Sequence, residues 1–242
     1  MRWQALHVNF KRVVDLSQDL YAGMPGWQTS PDLKYEPMKR AARDLSNVTI
    51  ITQMHMHTGT HVDTPLHSLP EGKTIDAYPL EEYMGEGVVL DFRRKDPAEE
   101  ITGDDLAVYE KSIRPEDVVM LCTDWSKRRG FNLDYLYKWP YLGESGCDFL
   151  TKRGVKAVGT EGMSIAGWNS SGAKAQPPVT KYSANEIHAK LLQHNILIIE
   201  GLSNLASLLR TEKTGRAFFV FAPINFTGSE AAPCRAMAFL ES

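Results

Sequence analysis

Between Asn47 and Asp63 the chain alternates. Val48, Ile50, Thr52, Met54, Met56, Thr58, Thr60 and Val62 take the even positions. Asn47, Thr49, Gln53, His55, His57, Gly59, His61 and Asp63 take the odd ones, with Ile51 the apolar exception. A period of two is the signature of a strand, whose side chains point alternately to opposite faces. The pattern therefore predicts a strand running to Asp63 that projects His57, His61 and Asp63 to one side, with Gly59 leaving room for a bulky object. A helix would also bring His57 and His61 together, at i and i+4. Its interior, however, would hold β-branched residues, a glycine and a proline, and no glutamate follows the first histidine as the helical zinc-protease motif requires. A strand opening into a loop at Thr64-Pro65 fits better.

Elsewhere the pattern switches between strand and helix periods. Strands are predicted at Arg12–Ser17, Gly87–Phe92, Asp117–Asp124, Val155–Thr160, Ile196–Glu200, Phe218–Ala222 and Arg235–Leu240. Short helices are predicted over Ile75–Tyr83, from Thr102 through Lys111, and over Cys147–Arg153, the last stopped by Gly154. Ser183-Ala-Asn-Glu186 forms a capping box, and the helix it opens carries Ile187, His188, Leu191 and Leu192 before ending near Asn195. Tyr21 to Trp27 is a loop rich in breakers and aromatics, 69–73 is a turn, 93–100 a solvated connection and 167–181 a loop. Residues 31–47 are polar and suggest no element. No repeat, linker or low-complexity tract divides the chain, so residues 1–242 read as a single α/β domain built on a mixed β-sheet.

Composition narrows the function classes. The 242 residues suffice for a sizeable core, and 43% hydrophobic with 24% charged residues is ordinary for a globular chain. A net charge of −3 leaves no basic footprint for nucleic acid. Residues 126–142 do mix Lys127, Arg128 and Arg129 with Phe131, Tyr135, Tyr137, Trp139 and Tyr141, as a nucleic-acid surface would. Asp134 and Glu144 interrupt that pattern, and a substrate-facing or subunit-contacting loop is preferred. No apolar run of about eighteen residues could span a membrane, and the Met-Arg-Trp-Gln-Ala-Leu-His start lacks a secretory apolar core, so the expected location is the cytoplasm. Cys122, Cys147 and Cys234 are widely spaced, which argues against a disulfide framework or a thiolate zinc site. Each is expected to behave as a small buried hydrophobe.

The chemistry concentrates in the alternating stretch. Neutral imidazole and carboxylate in register suit zinc or manganese, which makes His57, His61 and Asp63 candidate ligands. His67, two residues beyond Pro65, is the candidate general acid/base, since free imidazole titrates near pH ~6.5. The other readings of His67 are a further ligand or an inert neighbour. His55 shares the predicted face and is assigned a supporting role. Glu200 closes an apolar strand, where a charge is costly unless paired or metal-bound. Tyr21, Met24 and Trp27 either cap an apolar substrate or form the loop's own cluster.

The run His57-Thr58-Gly59-Thr60-His61-Val62-Asp63-Thr64-Pro65-Leu66-His67 resembles the H-x-G-T-H-x-D-x-P-x-H signature of the metal-dependent "putative cyclase" family, which includes bacterial kynurenine formamidase and isatin hydrolase. Val14-Asp15-Leu16-Ser17 and Thr123-Asp124-Trp125 resemble further landmarks of that family. The resemblance implies a β/β/α, swivelling-type fold with a barrel-like sheet. It implies one or two divalent ions, with Asp63 bridging from His57 and His61 to a second position completed by His188 and Glu200. It places the loop of Tyr21, Met24 and Trp27 near the substrate, and implies a homodimer or homotetramer. The implied activity is hydrolysis of an amide or lactone bond in a small, often aromatic molecule. N-formylkynurenine, cleaved to kynurenine and formate, leads; isatin or a lactone follows. From another class, the chain could bind metal or ligand without turnover, but such a binder has no need of His67. A dimetal oxidoreductase is disfavoured, because no motif for a second redox cofactor is visible. The sequence departs from the family at Glu161 and Ala166, where members commonly carry aspartate, and this weakens assignment to the kynurenine enzyme in particular.

Overall fold

The computed structural model describes residues 10–169, 176–210 and 213–240. In chain order the strands are β1 (Arg12–Asp15), β2 (Lys34–Lys39), β3 (Val48–Gln53), β4 (His61–Asp63), β5 (Met84–Asp91), β6 (Glu100–Ile101), β7 (Val118–Cys122), β8 (Tyr141–Leu142), β9 (Ala157–Thr160), β10 (Leu197–Glu200), β11 (Thr214–Val220), β12 (Ala231–Pro233) and β13 (Met237–Leu240). The α-helices are α1 (Ala41–Asp44), α2 (Gly103–Ala107), α3 (Leu133–Tyr137), α4 (Glu144–Arg153) and α5 (Ala184–Leu192).

Nine strands form one mixed sheet in the order β1-β13-β11-β5-β7-β9-β10-β4-β12. β5, β7, β9 and β10 are parallel neighbours, and the flanking pairs are antiparallel. The central four read in sequence as unbroken apolar runs because both faces are covered. One face packs Val88, Leu90, Val119, Leu121, Val158 and Ile198 against α4 and α5 through Cys147, Leu150, Ile187 and Leu191. The opposite face packs Val89, Met120, Leu197 and Ile199 against Phe219, Phe221, Ala238 and Leu16 from the other half of the same sheet. The sheet therefore curls into a half-barrel with β1 and β12 as its edges, and a bridge between Ser17 and Leu202 draws the end of β1 toward the end of β10. This is the mixed, barrel-like α/β architecture expected from the sequence. Among the described residues, no helix is long and apolar enough to cross a membrane.

The capping signals hold. Ser183 and Glu186 exchange both capping-box hydrogen bonds at the start of α5, and Gly154 ends α4 in the left-handed region at φ 65°. The Ile75–Tyr83 segment is not one helix but two 3-10 turns, Ile75–Ala77 and Leu80–Tyr83, because Pro79 forces Tyr78 into extended backbone. The stretch from Thr102 to Lys111 likewise splits, into α2 and a 3-10 turn at Glu110–Ser112.

The main correction concerns the alternating stretch. It is not a single strand: β3 ends at Gln53 and pairs only with β2, as an exposed two-stranded ribbon. β4 is a separate three-residue strand in the main sheet. Gly59 adopts φ +65° between them, and a Cβ there would collide with Leu20. Gly59 therefore serves the turn, and it also lines the cavity at the cluster. Alternation reports which residues are apolar, not whether a core lies behind them, and the ribbon has none.

Ile198 is fully buried on β10, directly opposite Asp63. Ile198→Ala should lower the unfolding free energy by about 2–5 kcal/mol, read as a shifted urea midpoint at unchanged slope. A shift under about 1 kcal/mol would mean this seam is not part of the cooperative core.

Candidate metal centre

The centre lies at the carboxyl ends of the parallel strands, on the face covered by α5, where ligand sites of open α/β sheets gather. In β4, His61 and Asp63 share parity, while Val62 between them faces the opposite core. The antiparallel register sets Glu200 against His61 and Ile198 against Asp63, so the last carboxylate of β10 stands beside both. α5 runs from its cap so that His188, following Ile187 and preceding Leu191, turns inward with the apolar stripe. His57 arrives from the turn before Gly59. His67 arrives from a 3-10 turn, Pro65–His67, which Pro65 opens. The sequence placed His57, His61 and Asp63 on one strand face; they do converge, but through a strand and a turn.

The resulting cluster is tight. His57 Nδ1 lies 3.0 Å from Asp63 Oδ1, and His61 Nε2 lies 3.4 Å from the same oxygen and 3.5 Å from Glu200 Oε2. His188 Nε2 is 3.0 Å from Glu200 Oε1 and 3.6 Å from Asp63 Oδ2. The His67 ring sits over the group, 4.5 Å from that of His57 and 5.0 Å from that of His188. His55 stacks on the outer side of His57 at 6.4 Å.

Asp63 is completely buried, and His61, His188 and Glu200 nearly so. His61 Nε2 and both Asp63 oxygens are buried without a hydrogen-bond partner. Orphans of this kind are rare in folded proteins and call for an explanation. Two groupings, His57-Asp63-His67 and His61-Asp63-Glu200, each bring their ligand atoms within 4.8 Å of one another. A nitrogen-and-oxygen donor set without thiolate suits zinc or manganese, so the residues present fit a divalent cation. Two imidazoles are already oriented for one. His61 Nδ1 donates to Gly59 O at 2.8 Å and His188 Nδ1 to Ala184 O at 2.7 Å, which turns each Nε2 inward.

Electrostatics without a cation reflect this crowding. Burial opposes charge on His57, but Asp63 and Glu230 outweigh it and raise its pKa to about 10. Burial likewise opposes an ionised Glu200, yet the hydrogen bond and charge of His188, helped by His61, hold it well below the usual carboxylate range. His67 goes the other way: burial dominates, assisted by His188 and His57 against the pull of Asp63, and lowers it to about 4. His67 is thus a neutral imidazole at neutral pH.

A cavity of about 400 Å³ opens onto the cluster, lined by His57, His61, His67, His188 and Glu200 and walled by Pro25, Trp27, Met163 and Tyr135. Of the three loop residues flagged from sequence, Trp27 reaches the wall, backed by Trp168 at 5.3 Å and Trp139 at 6.0 Å. Tyr21 and Met24 do not line the cavity. They hold Arg129 instead, the Tyr21 ring 5.2 Å under its guanidinium and the Met24 thioether accepting its N–H at 3.3 Å. Gln18 and Tyr135, joined by a 3.3 Å hydrogen bond from Tyr135 to Gln18 Oε1, line the cavity; Tyr135 belongs to the 126–142 segment read as substrate-facing or subunit-contacting, whereas Gln18 was not picked out from the sequence. Nor was Glu230, whose Oε1 lies 3.4 Å from His57 Nε2. The sequence carries no local signal for Gln18 or Glu230.

Glu161 is a structural carboxylate. It accepts from the N–H of Thr123 and Asp124 and from Ser126 Oγ at 2.5–2.9 Å. These bonds hold the turn after β7, where Asp124 is left-handed at φ 58°. Ala166 is buried, and its carbonyl accepts from Trp139 Nε1 at 2.8 Å.

A mixed α/β sheet with a buried imidazole and carboxylate cluster at its strand ends defines an α/β protein with a candidate metal-binding cluster. The "Putative cyclase" family profile matches residues 14–166, and the chain belongs to that family. The kynurenine formamidase of Erythrobacter litoralis (strain HTCC2594) is 28% identical over 229 residues, covering 94% of this chain and 93% of that protein. Isatin hydrolase A from Ralstonia solanacearum superposes with a TM-score of 0.80 at 25% identity, over 95% of this chain and 92% of that one. A structure described as a "Potential Metal-Dependent Hydrolase With Cyclase Activity" gives 0.72 at 27% identity, over 96% and 98%.

His57 carries a proton below about pH 10 when no cation is present, so an incoming ion must displace it. Apparent metal affinity should therefore rise with pH, about tenfold per unit for each proton released. Chelator-competition titrations between about pH 6 and 8 check this; a flat profile would show that the cluster takes up metal without giving up a proton.

Proposed function

We propose that this protein is a metal-dependent hydrolase that opens an amide or lactone bond in a small aromatic molecule. N-formylkynurenine, cleaved to kynurenine and formate, is the leading substrate; isatin or an aryl lactone is the second. The observation that carries the reading is the set of orphaned atoms, His61 Nε2 and both Asp63 oxygens, in a cluster whose His57, His61, His67, His188 and Glu200 line a cavity walled by Trp27. The names of the relatives, a kynurenine formamidase and an isatin hydrolase, support both choices of substrate.

In this reading His57, His61 and Asp63 would hold one ion, and Asp63, His188 and Glu200 would hold a second if one is bound. A bound divalent ion lowers the pKa of a water molecule and polarises a substrate carbonyl. His67, neutral and beside the cluster, takes the proton from the attacking water and returns it to the departing nitrogen or oxygen. Trp27 and Met163 offer a flat apolar wall to an aromatic ring and limit water entry. Gln18 and Tyr135 offer uncharged hydrogen-bonding groups for a substrate carbonyl or N–H.

Chelator treatment should abolish hydrolysis, and zinc or manganese should restore it; full activity in a preparation shown by elemental analysis to be metal-free would sink the proposal. His67→Ala should keep its metal and lose about 10²–10⁴ in turnover. Loss of metal in step with rate would make His67 a ligand instead. Glu200→Gln and His188→Ala should each bind about one ion fewer than wild type, with the first position still filled. If wild type binds one ion and both variants match it in stoichiometry and rate, the second position does not exist. A substrate panel of N-formylkynurenine, isatin and simple aryl lactones, compared by kcat/KM, separates the two substrate readings.

A further inference from the structure

Besides His67, three imidazoles border the buried carboxylates, and each keeps one nitrogen turned toward them. What holds the other nitrogen differs. For His61 it is the Gly59 carbonyl and for His188 the Ala184 carbonyl, both backbone groups fixed by the fold. His57 comes from a turn, and among the described residues no backbone carbonyl accepts from its outward nitrogen. That nitrogen, Nε2, faces Glu230 Oε1 at 3.4 Å, while Nδ1 faces Asp63 at 3.0 Å.

Glu230 is held in place from both sides. Its backbone carbonyl accepts from the Thr64 N–H and from Thr64 Oγ1, each at 2.9 Å. The next residue, Ala231, pairs with Asp63 in the β4–β12 register. On the other side the Ser229 carbonyl accepts from Ile75 N–H at 2.9 Å, and Ser229 Oγ donates to the Ala231 carbonyl at 2.6 Å, which leaves it 3.3 Å from Glu230 Oε2. The carboxylate is partly exposed, at 38%, so its position follows from this backbone frame rather than from being packed in.

We propose that Glu230 is a positioning residue for His57. Its carboxylate accepts the Nε2–H, fixes the ring's tautomer and rotation, and so presents the Nδ1 lone pair to the cation shared with His61 and Asp63. Carboxylates that restrain a ligating imidazole in this way raise its basicity as well as orienting it. The inference rests on the metal-site reading above and adds to it the one ring restraint supplied by a side chain, and therefore open to substitution.

The test uses the full-length protein with zinc or manganese as the probe. Metal affinity is read by competition with a chelator, stoichiometry by elemental analysis, and folding by the thermal midpoint of the metal-free protein. Glu230→Ala should weaken binding of one ion by about 10–100-fold, with the metal-free midpoint unchanged. Glu230→Gln, which keeps an acceptor oxygen at the same reach, should recover part of that loss, as a merely structural role would not require. Wild-type affinity in Glu230→Ala, or no gain in Glu230→Gln over Glu230→Ala, overturns the assignment. If wild type itself binds no metal, the hydrolase reading fails with it; if wild type binds and Glu230→Ala binds equally tightly, only the role of Glu230 fails.

Discussion

Asp63 sits on a strand hydrogen-bonded on both sides, fully buried, with neither oxygen in a well-formed hydrogen bond. A buried carboxylate of this kind carries a desolvation penalty of several kcal/mol, and the surroundings are arranged around meeting it. Two histidines lie within 3.4 Å of its Oδ1 and a third reaches Oδ2 at 3.6 Å. The second carboxylate, Glu200, shares the same neighbours. Packing negative groups this closely is tolerable only where positive charge accompanies them, whether on the imidazoles or on a cation that replaces their protons.

The sheet makes that arrangement possible at its change of direction. β10 closes the parallel run and β4 opens the antiparallel edge, so their side chains meet at strand ends rather than in the middle of a core. Thr60 strengthens the junction: its hydroxyl donates to the Gly201 carbonyl at 2.6 Å and accepts from Gln18 N–H at 2.8 Å. One residue therefore ties the turn before His61, the turn after Glu200 and the end of the first strand's connection. The two sides of the cluster cannot drift apart without breaking these bonds.

A separate aromatic layer supports the cavity. Trp125, Tyr135, Tyr137, Trp139, Tyr141 and Trp168 pack as their own core, with Trp27 and Met163 against it. This accounts for the basic and aromatic character of residues 126–142. Apart from the exposed Phe131, the rings are buried structure, and Arg128 and Arg129 lie over the faces of Trp125 and Tyr21. Apart from Tyr135, which reaches the cavity, the segment acts on the site from behind.

The sequence by itself determined the parts that depend on local chemistry. The apolar runs of β5, β7, β9 and β10 could only be strands covered on both faces. Ser183 and Glu186 could cap α5, and Gly154 could stop α4, because those signals act within a few residues. His57, His61, Asp63 and His67 were legible as a group for the same reason, since they lie within one short segment. Only the tertiary structure decided the rest. It divided the alternating stretch over residues 54–60, because alternation is silent about what packs behind a strand. It moved Tyr21 and Met24 onto Arg129 while bringing Trp27 to the cavity, a choice made by long-range packing. And it brought Gln18, Tyr135 and Glu230 to the site from distant segments with no motif to mark them, since the register of β12 on β4 and the fold of the aromatic layer are set by contacts that no local pattern encodes.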